Sequence, residues 1–106
     1  MIHTSIRRVH PDKVELLRAW FAEGKRRAEE VRETFRQEGV THEQVYLIPT
    51  DQGTVLIYIS EMADVDAAMR AFAGSELPID AEHRKVMETA IAGAVEGAEL
   101  VFELAV

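Results

Sequence analysis

The chain has 106 residues, with 12 basic against 19 acidic side chains and no cysteine, so its net charge is −7 and its pI about 5.0. The missing thiols exclude disulfides, thiolate zinc sites and a cysteine nucleophile; the acidic balance points away from nucleic acid and anionic membranes, which attract clustered Lys and Arg. An ordinary 47% of hydrophobic residues, with no apolar run of membrane-spanning length and no signal-peptide pattern, predicts one soluble cytoplasmic domain over residues 1–106.

The first predicted element is a strand over residues 2–9. Ile2, Thr4 and Ile6 alternate with His3, Ser5 and Arg7, giving one apolar and one polar face. Pro11 marks a helix start, where its missing N–H costs nothing, and Asp12 and Glu15 suit the positive end of the helix dipole. Val14, Leu17, Phe21, Gly24, Ala28, Val31 and Phe35 then follow at steps of three and four, and Gly39 sits where a C-terminal cap belongs. One helix over residues 11–38 would be ~42 Å long, which is long for a domain whose radius of gyration should be ~13 Å.

Two strands follow, over residues 43–49 and 54–61, joined by the hairpin signal Thr50-Asp51-Gln52-Gly53. In the second, Val55, Ile57 and Ile59 point one way and Leu56, Tyr58 and Ser60 the other. A short helix over residues 64–73 carries Val65, Met69 and Phe72 on one side and ends at the Gly74–Pro78 break. Asp80 then suits an N-cap, opening a helical stretch with His83, Val86, Met87, Ala90, Ile91 and Ala94 on its apolar side and Gly93 or Gly97 at its end. Alternation of Ala98, Leu100, Phe102, Leu104 and Val106 predicts a last strand over residues 98–106.

The element order is β-α-β-β-α-β: a ferredoxin-like α+β fold, a four-stranded antiparallel sheet with helices on one face and strand 1 between strands 3 and 4. The uncovered face is expected to carry His3, Ser5, Arg7, Val9, Glu99, Val101 and Glu103, with one side of the hairpin, and Arg7 is expected to pair across strands with Glu99 or Glu103. Pairing two such sheets face to face hides the apolar part of that surface, so a homodimer is the expected partner state.

The element order, the opening strand ending in Arg7-Arg8-Val9-His10-Pro11, the long first helix and the terminal run Ala98-Glu99-Leu100-Val101-Phe102-Glu103 resemble the dimeric α+β barrel superfamily. Within it the chain is most similar to a group of small uncharacterised bacterial domains, which also carry a histidine, here His83, at the start of the last long helix. The superfamily includes antibiotic-biosynthesis-type monooxygenases, muconolactone-isomerase-like enzymes, stress-response barrels and haem-degrading enzymes, so fold alone selects no chemistry.

Four histidines are present, His3, His10, His42 and His83, and no two share a metal-site spacing on one element. His83, on the inward side of its helix, is the candidate general base, set against the reading of a core histidine satisfied by its surroundings. Arg7 is the candidate anion stabiliser, and Trp20, Tyr46 and Tyr58 are candidate pocket residues, although aromatics at such spacings also build cores. Glu29 and Glu33 fall outside the apolar stripe and read as a solvated face. The leading expectation is a homodimer binding a small apolar or aromatic molecule between sheet and helices, with no metal or cofactor assigned. If it is an enzyme, the resemblance implies cofactor-independent oxygenation or isomerisation. The rival expectations are a non-catalytic structural or interaction module with a solid-packed barrel, and haem or metal binding through a histidine.

Overall fold

The structure is a computed structural model that describes all 106 residues. Strand β1 (Ile2–Val9) leads through a 3-10 turn (Pro11–Lys13) into α1 (Val14–Arg26) and α2 (Ala28–Glu38). The hairpin β2 (Val40–Thr50) and β3 (Gly53–Met62) follows, then α3 (Val65–Ala73), α4 (Pro78–Ala90) and β4 (Ile91–Ala94). The sheet is fully antiparallel in the order β2-β3-β1-β4, with β1 interior, the ferredoxin-like arrangement read from the element order.

The first crossover, predicted as one helix, is two, whereas the second is the two helices its Gly74–Pro78 break predicts. The apolar stripe runs on past residue 26, but the backbone leaves helical geometry at Arg27 (φ −105°, ψ 39°), so the single helix over residues 11–38 is corrected to α1 and α2. An unbroken rod of that length would overrun a molecule measuring 36 × 36 × 22 Å. Arg27 holds the bend: its guanidinium donates to Glu30 Oε2 at 2.7 Å and to Glu82 Oε2 of α4 at 2.7 Å. Thus one residue of the Lys25-Arg26-Arg27 run ties three helices together. Gly39 ends α2 with φ 76°, a left-handed geometry in which a side chain would be strained, and its N–H bonds Phe35 O.

Asp64 caps α3 by accepting from Ala67 N at 3.0 Å. Helix α4 begins at Pro78 with Leu77 as its cap residue, so Asp80 lies inside the first turn rather than at the N-cap. Its carboxylate is buried and accepts from Thr34 Oγ1 of α2 at 2.6 Å, a polar pin between the two helices. Helix α4 also stops at Ala90, three residues short of the earliest expected glycine, and runs directly into β4. Ile91 and Ala94, which keep helical spacing with Met87, are strand residues. Residues 98–106 form no strand in this chain, a further correction.

The two faces of the sheet are reversed relative to the expectation. Val9 and Leu56 pack under the helices with Leu17 and Ala90, while Ile2, Thr4 and Ile6 point away. The β1–β3 register pairs Ile6 with Ile57 and Thr4 with Ile59, and the β2–β3 register adds Tyr46 opposite Ile57 and Ile48 opposite Val55. The helix-free face is therefore a layer of Ile2, Ile6, Tyr46, Ile48, Val55, Ile57 and Ile59. Ile2 is 61% exposed and Tyr46 46% exposed. His3, Ser5 and Arg7 instead lie beneath the helices. Arg7 consequently has no ion pair with Glu99 or Glu103, which sit in the exposed tail; its Nε donates to Ser5 Oγ at 3.1 Å.

Candidate functional site

The turned-in polar side of β1 forms the floor of a cavity of about 600 Å³ between sheet and helices. His3, Ser5 and Arg7 of β1 lie beside Glu43 of β2 and Tyr58 and Ser60 of β3; above them stand Phe35 and Glu38 of α2, Phe72 of α3, and His83, Arg84 and Met87 of α4. Period-two alternation puts Tyr58, Ser60 and Met62 on the same side as Leu56, and the cross-strand pair Ser5–Tyr58 fixes the phenol beside β1.

His83 is the centre of the site. Its ring lies against Phe72 (centroids 5.1 Å apart), Trp20 (5.5 Å), Tyr58 (6.2 Å) and Phe21 (6.4 Å). The Tyr58 hydroxyl is 2.9 Å from His83 Nε2 and 3.4 Å from Met87 Sδ. An imidazole nitrogen is the stronger acceptor of the two, so the phenol proton is directed to Nε2. Burial among these rings removes the solvation an imidazolium needs, and the His83 pKa falls from 6.5 to about 4, with Asp80 opposing and Arg84 adding to the fall. At neutral pH this is an uncharged imidazole. The same burial, reinforced by the Glu43 carboxylate, raises the Tyr58 phenol well above its ordinary range.

Two carboxyl groups share the cavity. Glu38 is raised by burial, then by Asp80 and Glu43, to about 7. Glu43 is raised by burial, against the pull of the Ser60 hydroxyl, which donates to Glu43 Oε2 at 2.9 Å. A carboxyl that is half-protonated near pH 7 is matched to proton transfer at that pH. Sequence reasoning passed over both residues. Glu43 was open to it through alternation with Val45 and Leu47, whose side faces the core; Glu38, next to the Gly39 cap, gave no such signal.

Arg7 contributes the site's unpaired cation. No carboxylate lies within 4.0 Å of its guanidinium, and its bond to Ser5 uses only one of five N–H donors. Arg84 is already committed: it donates to Phe72 O at 2.6 Å and Ser75 O at 3.1 Å and covers the Phe72 ring, so it locks α4 onto the end of α3.

The structure thus brings His83, Arg7 and Tyr58 into one cavity. Trp20 touches His83 from the other side, in an adjoining groove between α1, α2 and β2 that also holds Phe21, Val31 and Leu47. Tyr46 is not brought to either cavity; it lies on the opposite face of the sheet, its hydroxyl near Gln44. Glu29 and Glu33 are exposed, and Glu29 pairs with Arg32 at 2.6 Å. No three His, Asp or Glu side chains converge as a metal-binding group, and no helix is long and apolar enough to cross a membrane.

Residues 2–106, nearly the whole chain, match the family of unknown function DUF6176. The chain is a DUF6176 protein. No curated protein matches it significantly. For this DUF6176 domain the cavity itself is therefore the guide to function: apolar walls, one free guanidinium, a neutral His–Tyr pair and two carboxyls of raised pKa.

Proposed function

We propose that this DUF6176 protein is a homodimeric α+β barrel that binds a small apolar or aromatic molecule bearing an acidic group in the cavity beneath its helices. The observation that carries the reading is the reversed amphipathy of β1. A strand that turns His3, Ser5 and Arg7 toward its own helices, and Ile2 and Ile6 away from them, gives up apolar burial inside the protomer. That arrangement is stabilised if the inner face holds a polar ligand and the outer face is covered by a second copy.

In this reading Arg7 clamps the anionic group, and a half-buried guanidinium without a protein partner is the group that gains most from one. Phe35, Phe72 and Met87 enclose the apolar body, and the His83–Tyr58 pair orients a carbonyl or hydroxyl. Glu38 or Glu43 carries the proton. His83, neutral and weakly basic, is better suited to orienting than to serving as the main base, because a base is most effective when its pKa lies near the working pH. Proton removal beside a carbonyl or phenol is the step these groups support, and isomerisation and cofactor-independent oxygenation share it. The cavity weighs against a solid-packed, purely structural barrel.

The test uses thermal-shift and calorimetric titration with benzoate, salicylate and, as the uncharged control, benzamide. The carboxylates are expected to stabilise the protein more than benzamide does, and Arg7→Met should weaken them about tenfold or more, the scale of a lost charge-assisted hydrogen bond. Tyr46→Phe should change nothing. Equal responses in wild type and Arg7→Met, or no response to any probe, would overturn the assignment.

A further inference from the structure

Behind His83, the groove between α1, α2 and β2 is a second cavity, of about 700 Å³. It exists because the apolar stripe of the first crossover has a gap in its middle. Phe21 and Val31 flank two small residues, Gly24 and Ala28, and a Cβ placed on Gly24 would meet only Val31 Cγ2, at 4.0 Å. A packed interior fills such a space. Here Phe21, Val31, Val45 and Leu47 stay half-buried around it, although Phe21, Val45 and Leu47 also pack against the core.

Phe35, Glu43 and His83 line both this groove and the cavity that holds Arg7. The His83 ring meets Trp20 and Phe21 on the groove side, and Phe72 and Tyr58 on the cavity side. We propose that cavity and groove are one bipartite site for an elongated amphiphile, an unbranched carboxylic acid whose head lies at Arg7 and whose hydrocarbon tail passes His83 into the groove. The proposal deepens the anion-binding reading above and rests on it. The two spaces divide the chemistry as such a ligand does. His3, Ser5 and Arg7 make the cavity floor polar, whereas the groove is apolar apart from Glu43 and three exposed cations, Arg18, Lys25 and Arg32. Cations of this kind lay their methylene stems along apolar surface and keep their heads in water. Arg18 and Arg32 are held by Glu15 and Glu29, so Lys25 is the charge left to draw an acid to the groove of a chain of net charge −7. Because the spaces are distinct, their junction is narrower than either, which suits a file of methylenes better than a second ring.

The test titrates butanoate, hexanoate, octanoate and decanoate, with benzoate alongside, into the full chain. Calorimetry gives the affinities, and the emission of Trp20, the chain's one tryptophan and a wall of the groove, reports where the tail lies. Each methylene moved from water to an apolar wall strengthens binding about fourfold, so affinity should rise at least ~10-fold per two carbons past hexanoate. Trp20 emission should shift to the blue with octanoate and decanoate but not with butanoate. Arg7→Met should weaken every acid about tenfold or more. Gly24→Leu places a side chain in the gap, on a helix that favours leucine over glycine, and should abolish the gain with chain length while benzoate still binds. Ala28→Leu fills the gap from α2 and should do the same. A gain that survives both substitutions puts the tail elsewhere and overturns the bipartite site, as does benzoate binding with no gain from longer chains; the anion-binding reading stands in either case. Long acids that bind equally well to Arg7→Met separate groove from cavity and overturn it too. No binding by any acid overturns both readings.

Discussion

Replacing His83 by glutamine tests the electrostatics of the site through its pH dependence. The folded protein holds this imidazole at a pKa of about 4, against 6.5 for the ordinary side chain. Between those values the unfolded chain binds a proton that the folded chain refuses, so folding stability falls as the pH drops from 6.5 to 4. At ~1.4 kcal/mol per pH decade, the window is worth about 3 kcal/mol. His83→Gln removes this term. It also loses ring contacts with Trp20, Phe21 and Phe72, but that loss is the same at every pH. Urea denaturation of both proteins at pH 4, 5, 6 and 7, at one fixed protomer concentration, should therefore show the variant gaining on wild type by about 3 kcal/mol from pH 7 to pH 4. A difference that stays constant with pH would refute the claim that burial holds His83 neutral.

Glu38→Gln should give the opposite slope: a carboxyl raised from 4.5 to about 7 contributes stability below 4.5 that is lost as the pH rises through 7, and because Glu38 is partly open to solvent that screens its neighbours the variant gains only about 1–2 kcal/mol on wild type over that window in the same denaturation series. Tyr58→Phe should cost about 1–2 kcal/mol at neutral pH by leaving His83 Nε2 without its 2.9 Å donor, with secondary structure by circular dichroism unchanged. Leu56→Ala, at a fully buried position packed with Val9, Leu17 and Ala90, should cost about 2–5 kcal/mol in chemical denaturation, a large share of the stability of a domain this size.

The order of elements up to α4 was legible because each of these announces itself locally: alternation in β1 and β3, a stripe through α1 and α2, and the Gly39 and Gly74 stops. What the pattern concealed were choices made by tertiary packing. Period two separates the two sides of β1 but does not say which one the helices cover, and here the apolar side of Ile2 and Ile6 faces out. The bend at Arg27 leaves the stripe intact, and the ion pairs made there join Arg27 to Glu30 and to Glu82, the latter distant in sequence and so invisible to a local pattern. Ile91 and Ala94 keep helical spacing with Met87 and so masked the start of β4. Of the site, His83, Tyr58 and Arg7 were visible through residue type and position. Glu43 was open to the same reading through its alternation with Val45 and Leu47, whereas Glu38 was not, because what sets it apart is burial next to Asp80 and Glu43, a property of the folded chain.

The claim on which the account turns is that the sheet's two sides have exchanged their usual duties, the polar one enclosing a site and the apolar one meeting a second copy. Sedimentation equilibrium at micromolar concentration tests it most directly. The account predicts a single species of twice 11.9 kDa that Ile57→Asp, in the middle of the outer layer, splits into folded monomers. A wild-type protein that sediments as a stable 11.9 kDa monomer, with Ile2, Ile6 and Ile57 left in water, would contradict it.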